Sequence, residues 1–262
     1  MGVERVRDAD DPRLADYREL RDGERRRRAG TFVAESRQVV RRLLGSRFRA
    51  RSVLATEAAA ADLRDVLADG LPVYVAPEET LARVVGFNFH RGCLALGERG
   101  AELPLDALLD TRLLVVLEGV TNPDNVGGVF RNAMAFAAGG VLPGTRLLRP
   151  PLYRKAIRVS MGGTLVVPFA RAAPWPGALA RLREHGFTVV ALTPDGDLDV
   201  ADLGTSRPVP ERVALLLGAE GEGVSPAARA AADVAVAIRM AGRGHSLNVA
   251  TASGIALHRL AR

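Results

Sequence analysis

The sequence predicts an α/β protein: a parallel sheet with helices on both faces in the C-terminal part, joined to a smaller α/β unit at the N-terminus. Three observations carry that expectation. From Leu113 onward, short apolar runs alternate with stretches of helix length, the pattern of strand, crossover helix and strand. The runs LLVVLEGV, FTVVALT, VALLLG and DVAVAI are apolar almost without alternation, which suits strands buried on both sides. At 262 residues the chain has room for one large domain or two modest ones, and GERGAELPLDALLDT interrupts the pattern as a linker would. The expected division is residues 1–100, a linker at 101–112 and a second domain at 113–262.

In order along the chain, Pro12 to Arg28 reads as a helix, and the GTF turn leads into a second helix, Ser36 to Leu44, with Val39, Val40, Leu43 and Leu44 on one side. Strand-like runs follow at Ser52 to Thr56, Pro72 to Ala76 and Cys93 to Gly97, with a helix from Ala58 to Asp69 between the first two. After the linker, LLVVLEGV reads as a buried strand, TNPDN as a loop and Val126 to Ala138 as a helix. A short strand at Gly140 to Leu142, a helix around Tyr153 to Met161 and the apolar run LVVPF come next. A helix from Pro176 to His185 precedes FTVVALT; VALLLG, a short helix after Ser225, DVAVAI and a helix from Leu247 to Leu260 complete the series.

Composition narrows the classes of function. Hydrophobic residues make up 48% and charged ones 25%, as in ordinary globular proteins. No run approaches the roughly 18 apolar residues of a membrane span, and the charged start MGVERVRDADDPR lacks an apolar signal core, so a cytoplasmic protein is expected. Cys93 is the sole cysteine and the four His are scattered, which leaves no internal disulfide and no metal-ligand spacing. Cys93, within GCLALG, reads as buried packing.

Basic residues exceed acidic ones by 36 to 30, and between Arg18 and Arg51 there are 12 Arg against four acidic residues. Such a cluster attracts phosphate backbones in a salt-dependent, sequence-independent way; a solvated helix face is the competing reading. Arg25, Arg26, Arg27, Arg28, Arg37 and Arg41, with Arg154 and Arg158 of RKAIR, are the candidate contacts to such a nucleic-acid backbone.

Three segments share one design. NPDNVGGVFRNA (Asn122 to Ala133), LLLGAEGEGVS (Leu215 to Ser225) and IRMAGRGHSLNVATASGIALHR (Ile238 to Arg259) each carry small and polar residues between a strand-like run and a helix-like one. In open parallel sheets, ligands bind outside the carboxyl ends of strands, where loops pass to helix N-termini. A dinucleotide fold would need G-x-G-x-x-G after a strand and an acidic residue about 20 positions on, and neither loop fits. A G-x-x-x-x-G-K-[ST] phosphate loop is absent from the sequence.

These segments resemble the three signature motifs of the SpoU or TrmH family of RNA ribose 2′-O-methyltransferases, in the SPOUT superfamily. The resemblance covers Leu113 to Arg262. It lies in N-P-x-N-x-G with Arg131 six residues after Asn125, in G-A-E-G-x-G-V-S from Gly218 to Ser225, and in I-x-M-x-G followed by S-L-N-V from Ser246 to Val249. RKAIRVSMGG is similar to the family's R-x-S-M-G stretch, and the first 100 residues, with FNFHRGCLALG, resemble the L30e-like RNA-binding domain of the ribosomal RNA members.

The resemblance implies a C-terminal trefoil knot, S-adenosylmethionine as cofactor, a homodimer with its site at the subunit interface, and 23S ribosomal RNA as substrate. It implies a catalytic set of Asn125, Arg131, Glu220, Ser246 and Asn248. The implied cofactor contacts are Thr193, Leu217, Gly218, Glu220, Gly221, Ile238, Met240, Ser246 and Leu247. Ile238, Met240 and Leu247 would supply apolar walls, and Gly218, Gly221 and Gly223 a close backbone approach. Asn125 also reads as a helix N-cap, a role open to Ser246 and Asn248 as well. The family's account has Arg131 activate the ribose hydroxyl, yet a guanidinium hardly ever gives up its proton. Arg131 is either deprotonated transiently by its surroundings or remains a cation that holds a phosphate and stabilises a developing alkoxide. His245 and Arg239 depart from the family pattern, Arg239 standing where proline is common. Two alternatives remain: the same chemistry on transfer RNA, and a non-catalytic RNA-binding factor on the same fold.

Overall fold

A computed structural model describes residues 2–18, 20, 23–86, 89–144, 151–241 and 246–261, with residues 23–25 by backbone alone. His245 and the Arg25 side chain therefore lie outside the described residues. The strands and helices of the first part are β1 (Val3–Arg5), α1 (Gly23–Arg28), β2 (Thr31–Glu35), α2 (Arg37–Leu44), β3 (Ala50–Ala55), α3 (Glu57–Asp62), β4 (Val73–Val75), α4 (Glu78–Val85) and β5 (Cys93–Glu98). The second part contains β6 (Leu113–Leu117), α5 (Pro123–Ala135), β7 (Gly140–Pro143), α6 (Arg154–Val159), α7 (Gly163–Val166) and α8 (Gly177–Glu184). It continues with β8 (Thr188–Leu192), β9 (Leu198–Asp199), β10 (Val213–Leu217), α9 (Pro226–Ala230), β11 (Val234–Ala237) and α10 (Val249–Leu260).

Two compact units form, one from residues 1–101 with 152–166, the other from 102–151 with 167–262. The N-terminal unit holds a mixed sheet in the order β1-β4-β3-β5-β2, in which β5 runs antiparallel to both β2 and β3. Its core gathers Leu14, Tyr17, Leu54, Leu81, Leu94 and Leu96. The buried Tyr17 hydroxyl meets Ser52 Oγ at 2.8 Å, which satisfies a polar group that would otherwise be costly to bury. Residues 152–166 join this unit, where the sequence pattern had grouped them with the C-terminal one. The reason is a buried carboxylate: Glu35 at the end of β2 accepts from Arg154 Nη2 at 2.9 Å, and Arg42 donates to the Met161 carbonyl.

The C-terminal unit is built on a six-stranded, wholly parallel sheet in the order β7-β6-β10-β8-β11-β9. The expected apolar runs form its strands, and β6 and β10 are buried at every position. Leu114, Val116, Ala214 and Leu216 face a core with Leu179 and Leu182 of α8 and Ala228 of α9; α5 and α10 cover the other face, with α10 against β10 and α5 against β7. A fully buried leucine contributes about 1.5–3 kcal/mol, so these continuous runs hold the sheet. Leu105, Leu108 and Leu109 of the expected linker pack into the same core, because a 3-10 helix over Leu105–Leu108 turns them to one side.

Several local expectations give way to tertiary packing. The helix expected from Pro12 to Arg28 is a 3-10 helix over Pro12–Tyr17 and a separate α1. Thr31 and Phe32 of the expected GTF turn instead open β2, and α3 ends at Asp62, not Asp69. LVVPF is the end of α7 and a single bridge from Phe169 to Val141. Among the described residues no helix is long and apolar enough to cross a membrane.

Candidate functional site

All strands of the C-terminal sheet run the same way, so the loops after β6, β8, β10 and β11 leave from one edge. Between three of them lies a cavity of about 380 Å³, within the size range of small-molecule sites. Thr193, Leu217, Gly218, Glu220, Gly221, Ile238, Met240, Ser246 and Leu247 all line it, so every residue named above as a cofactor contact falls on one surface. Two apolar side chains there, Met240 at 38% and Leu247 at 37%, are exposed to solvent, an unfavourable state that an apolar ligand relieves. The Thr193 hydroxyl is buried with no well-formed hydrogen bond among the described residues. Its neighbour Asp195 is held by Arg229 at 2.5 Å, which keeps that carboxyl below its ordinary range.

The glycine loop after β10 is shaped by its own backbone. A Cβ on Gly218 would lie 2.0 Å from the Gly223 carbonyl carbon, so the loop closes on itself only with glycine there. Gly221, at φ +84°, faces open space.

Beside this cavity the first turn of α5, the glycine loop and the start of α10 meet through one side chain. Asn248 Nδ2 donates to Asn125 Oδ1 at 2.8 Å and to Glu220 Oε1 at 2.9 Å, while its Oδ1 accepts from Ala250 N at 2.9 Å and Thr251 N at 3.3 Å. Both donors and both acceptor positions of the amide are used. That pattern fixes its orientation and makes Asn248 the cap of α10. Asn125, 5% exposed, is thereby held with its oxygen toward Asn248, and no described residue accepts from its amide nitrogen. Asn125 is not the cap of α5, as the sequence had suggested: Asn122 is, accepting from Asp124 N at 2.9 Å.

The remaining members of the set are placed differently. Ser246 lies on the cavity, exposed. Arg131, on α5, is exposed and makes no hydrogen bond or ion pair among the described residues. Six residues along a helix is about 600°, which turns Arg131 well away from Asn125. Arg239 donates to the Gly196 carbonyl at 3.0 Å, so it fastens the neighbouring loop.

Glu118 is a part of the site that the sequence gave no reason to single out. Its Oε1 accepts from Trp175 Nε1 and Ser225 Oγ, each at 2.7 Å, and its Oε2 from Ser225 N at 2.8 Å. It thus ties the end of β6 to the end of the glycine loop. Only Ser225 left a trace, as a cap followed by proline; an acid whose partners lie 57 and 107 residues away leaves none.

The candidate RNA contacts also separate. Arg26, Arg154 and Arg158 line one cavity of the N-terminal unit. Arg37 pairs with Asp62 and Arg41 with Asp65 at 2.5 Å, which lowers the Asp65 pKa. Arg27 and Arg28 are exposed at the end of α1. Among the described residues no group of His, Cys, Asp and Glu is arranged to hold a metal ion.

A parallel sheet with an apolar cavity at its carboxyl edge, flanked by oriented amides and a carboxylate, defines an α/β enzyme that binds a small ligand. The SpoU rRNA Methylase family model matches residues 112–258, and the chain belongs to that family of RNA methyltransferases. It is 42% identical over 268 residues to a tRNA/rRNA methyltransferase of Mycobacterium tuberculosis (strain ATCC 25618 / H37Rv), itself described as uncharacterized, covering 100% of this chain and 93% of that one. It is 33% identical over 206 residues to the 23S rRNA (guanosine-2′-O-)-methyltransferase RlmB of Ralstonia nicotianae, covering 76% of this chain and 80% of that one. Among solved structures, the AdoMet-bound rRNA methyltransferase from Sinorhizobium meliloti superposes with a TM-score of 0.81 at 25% identity, over 98% of this chain and 97% of that one.

Proposed function

We propose that this chain transfers a methyl group from S-adenosylmethionine to a ribose 2′-hydroxyl of RNA, with 23S ribosomal RNA as substrate. The observation that carries the reading is the Asn248 bridge to Asn125 and Glu220 at the rim of the cavity. It joins side chains from the first turn of α5, the glycine loop and the cap of α10 into one fixed constellation beside a ligand space. The cavity suits the cofactor: half-exposed apolar walls, a buried hydroxyl without a well-formed bond, and glycine backbone open to a ligand. Leu217, Ile238, Met240 and Leu247 would hold the adenine, with Thr193, Ser246 and Glu220 toward its polar groups. When bound, S-adenosylmethionine supplies a methyl group activated by sulfonium, so the protein's work is orientation, exclusion of water and activation of the hydroxyl. Asn125 presents N–H donors at a position set by Asn248. Arg131, exposed on α5, acts as a cation that engages an RNA phosphate and stabilises the developing alkoxide, at an interface completed by a second copy of the chain.

The N-terminal unit grips the RNA, which favours a ribosomal substrate. The likeness to RlmB, a 23S rRNA (guanosine-2′-O-)-methyltransferase, over 76% of this chain supports the same choice. Incubation with methyl-labelled cofactor and total RNA, followed by mapping, is the test. Label on a ribose of the large-subunit RNA is expected. Label on a base overturns the mechanism, label on transfer RNA changes the substrate, and RNA binding without cofactor binding in calorimetry leaves a non-catalytic factor.

A further inference from the structure

We propose that the basic cavity of the N-terminal unit is a nucleotide seat: it takes one phosphodiester of a single-stranded RNA segment together with the adjoining base. This rests on the reading that RNA is the substrate, and names where and in what form the N-terminal unit holds it.

The cavity measures about 270 Å³ and is lined by five cationic side chains, Arg26, Arg99, Arg154, Lys155 and Arg158, with no carboxylate among its lining residues. Arg99 is half-buried; its guanidinium donates to two carbonyls, Thr31 O at 3.1 Å and Leu152 O at 3.4 Å, and it forms no ion pair among the described residues. Burial, and then the nearby charge of Arg27, push its pKa down, so the cation is held there at a cost that an anion offsets. The Arg158 side chain is exposed and makes no hydrogen bond or ion pair among the described residues. Arg154 is fixed in place by the buried Glu35 at 2.9 Å, and Arg26 by the carbonyls of Asp16 and Arg18. Guanidinium groups held in this way present directed donors to phosphate oxygens.

The volume approaches the roughly 300 Å³ at which cavities begin to enclose small ligands, more than a lone phosphate fills. The half-exposed Tyr153 and the apolar Leu152 share the lining with the cations. An aromatic face beside a basic groove is the arrangement that stacks an unpaired base while tracking its phosphate. A base-paired nucleotide cannot enter, so the seat selects single-stranded or extruded residues.

The test is anisotropy of a fluorescein-labelled single-stranded RNA dodecamer at several salt concentrations, for the full chain and its Arg158→Ala and Tyr153→Ala variants. Arg158→Ala is expected to weaken binding about tenfold and to reduce the slope of log affinity against log salt by about one. Tyr153→Ala is expected to weaken binding about fivefold or more with the slope unchanged. Both variants should bind S-adenosylmethionine as the parent does, which shows that they are folded. In competition, 5′-AMP should displace the RNA at lower concentration than inorganic phosphate. Unchanged affinity and slope in both variants overturn the seat, and equal competition by phosphate and 5′-AMP overturns the base pocket. Absence of methyl transfer to any RNA by the parent protein would instead strike the underlying reading, and is read in a separate assay.

Discussion

Asn248 carries the sharpest consequences at the scale of single residues. Replacing it by alanine removes the cap of α10, worth about 1–2 kcal/mol, and leaves the buried Asn125 Oδ1 without its donor. Urea unfolding of Asn248→Ala should show a loss of about 2 kcal/mol or more. Asn248→Asp keeps the capping oxygen but sets a carboxylate against Glu220 and the Asn125 oxygen. Its methyl transfer should therefore fall much further than its stability, and a parent-like rate in this variant would remove the bridge from the mechanism. For Arg131, exposed and without an ion pair among the described residues, the cationic role predicts a transfer rate at saturating RNA that stays flat from about pH 7 to about 9. A rate rising tenfold per pH unit there would point to a titrating base. The polar triad of Asn125, Glu220 and Asn248 was legible as motif residues, and the structure adds which atom bonds which. Glu118 was illegible because its meaning lies entirely in Trp175 and Ser225, which only folding brings to it.

The contact between α5 and α10 positions the triad at the scale of elements. A Cβ on Gly128 would stand 2.5 Å from Ala250 Cβ, and Asn132 Nδ2 donates to Ala250 O at 2.6 Å and Ser253 Oγ at 2.9 Å. Ala250 lies two residues beyond the cap, so pushing the helices apart displaces Asn248. Alanine is about 1 kcal/mol better than glycine in a helix interior, but overpacking costs about 1–3 kcal/mol. Gly128→Ala should thus lower the unfolding midpoint and weaken cofactor binding, with Ala250→Gly restoring both in the double variant. If Gly128→Ala stabilises the protein, the close crossing is not what fixes the site. Elements were legible where burial on both faces made long apolar runs, as in β6 and β10. They were hidden where a strand carries polar ends satisfied only in three dimensions: β2 runs from Thr31 to Glu35, and Glu35 is buried because Arg154 answers it. The helix expected over Pro12 to Arg28 failed for a related reason, since Leu14 and Tyr17 are drawn into the core and the chain bends to deliver them.

Charge and ionisation act at the scale of the whole molecule. Cys93 is fully buried, and burial pushes its thiol from 9.0 up to about 12. The unfolded chain therefore loses this proton near pH 9 while the folded one keeps it, so stability is intact below pH 9 and declines as pH rises toward 12. Urea midpoints should fall over that range more steeply for the parent than for Cys93→Ala, and a thiol reagent should label the native protein only through unfolding. The net charge of +6 and the excess of Arg between Arg18 and Arg51 suggest a broad phosphate-binding face, yet folding redistributes that charge. Arg37, Arg41, Arg49 and Arg51 lie against Asp62, Asp65, Glu98 and Asp16, carboxylates that only the fold brings near them. A paired guanidinium has less to gain from a phosphate, because binding must break or share an existing ion pair. Such surface pairs are individually worth only about 0–1 kcal/mol, so the effect is a graded one. Arg37→Ala and Arg41→Ala should each change RNA affinity less than about threefold, against about tenfold for Arg158→Ala. The slope of log affinity against log salt should accordingly be shallower than the roughly −6 that eight neutralised phosphates on a single strand would give. A slope at or beyond that value, with losses at Arg37 and Arg41 equal to that at Arg158, would mean that the whole arginine-rich face contacts RNA and that its ion pairs open on binding.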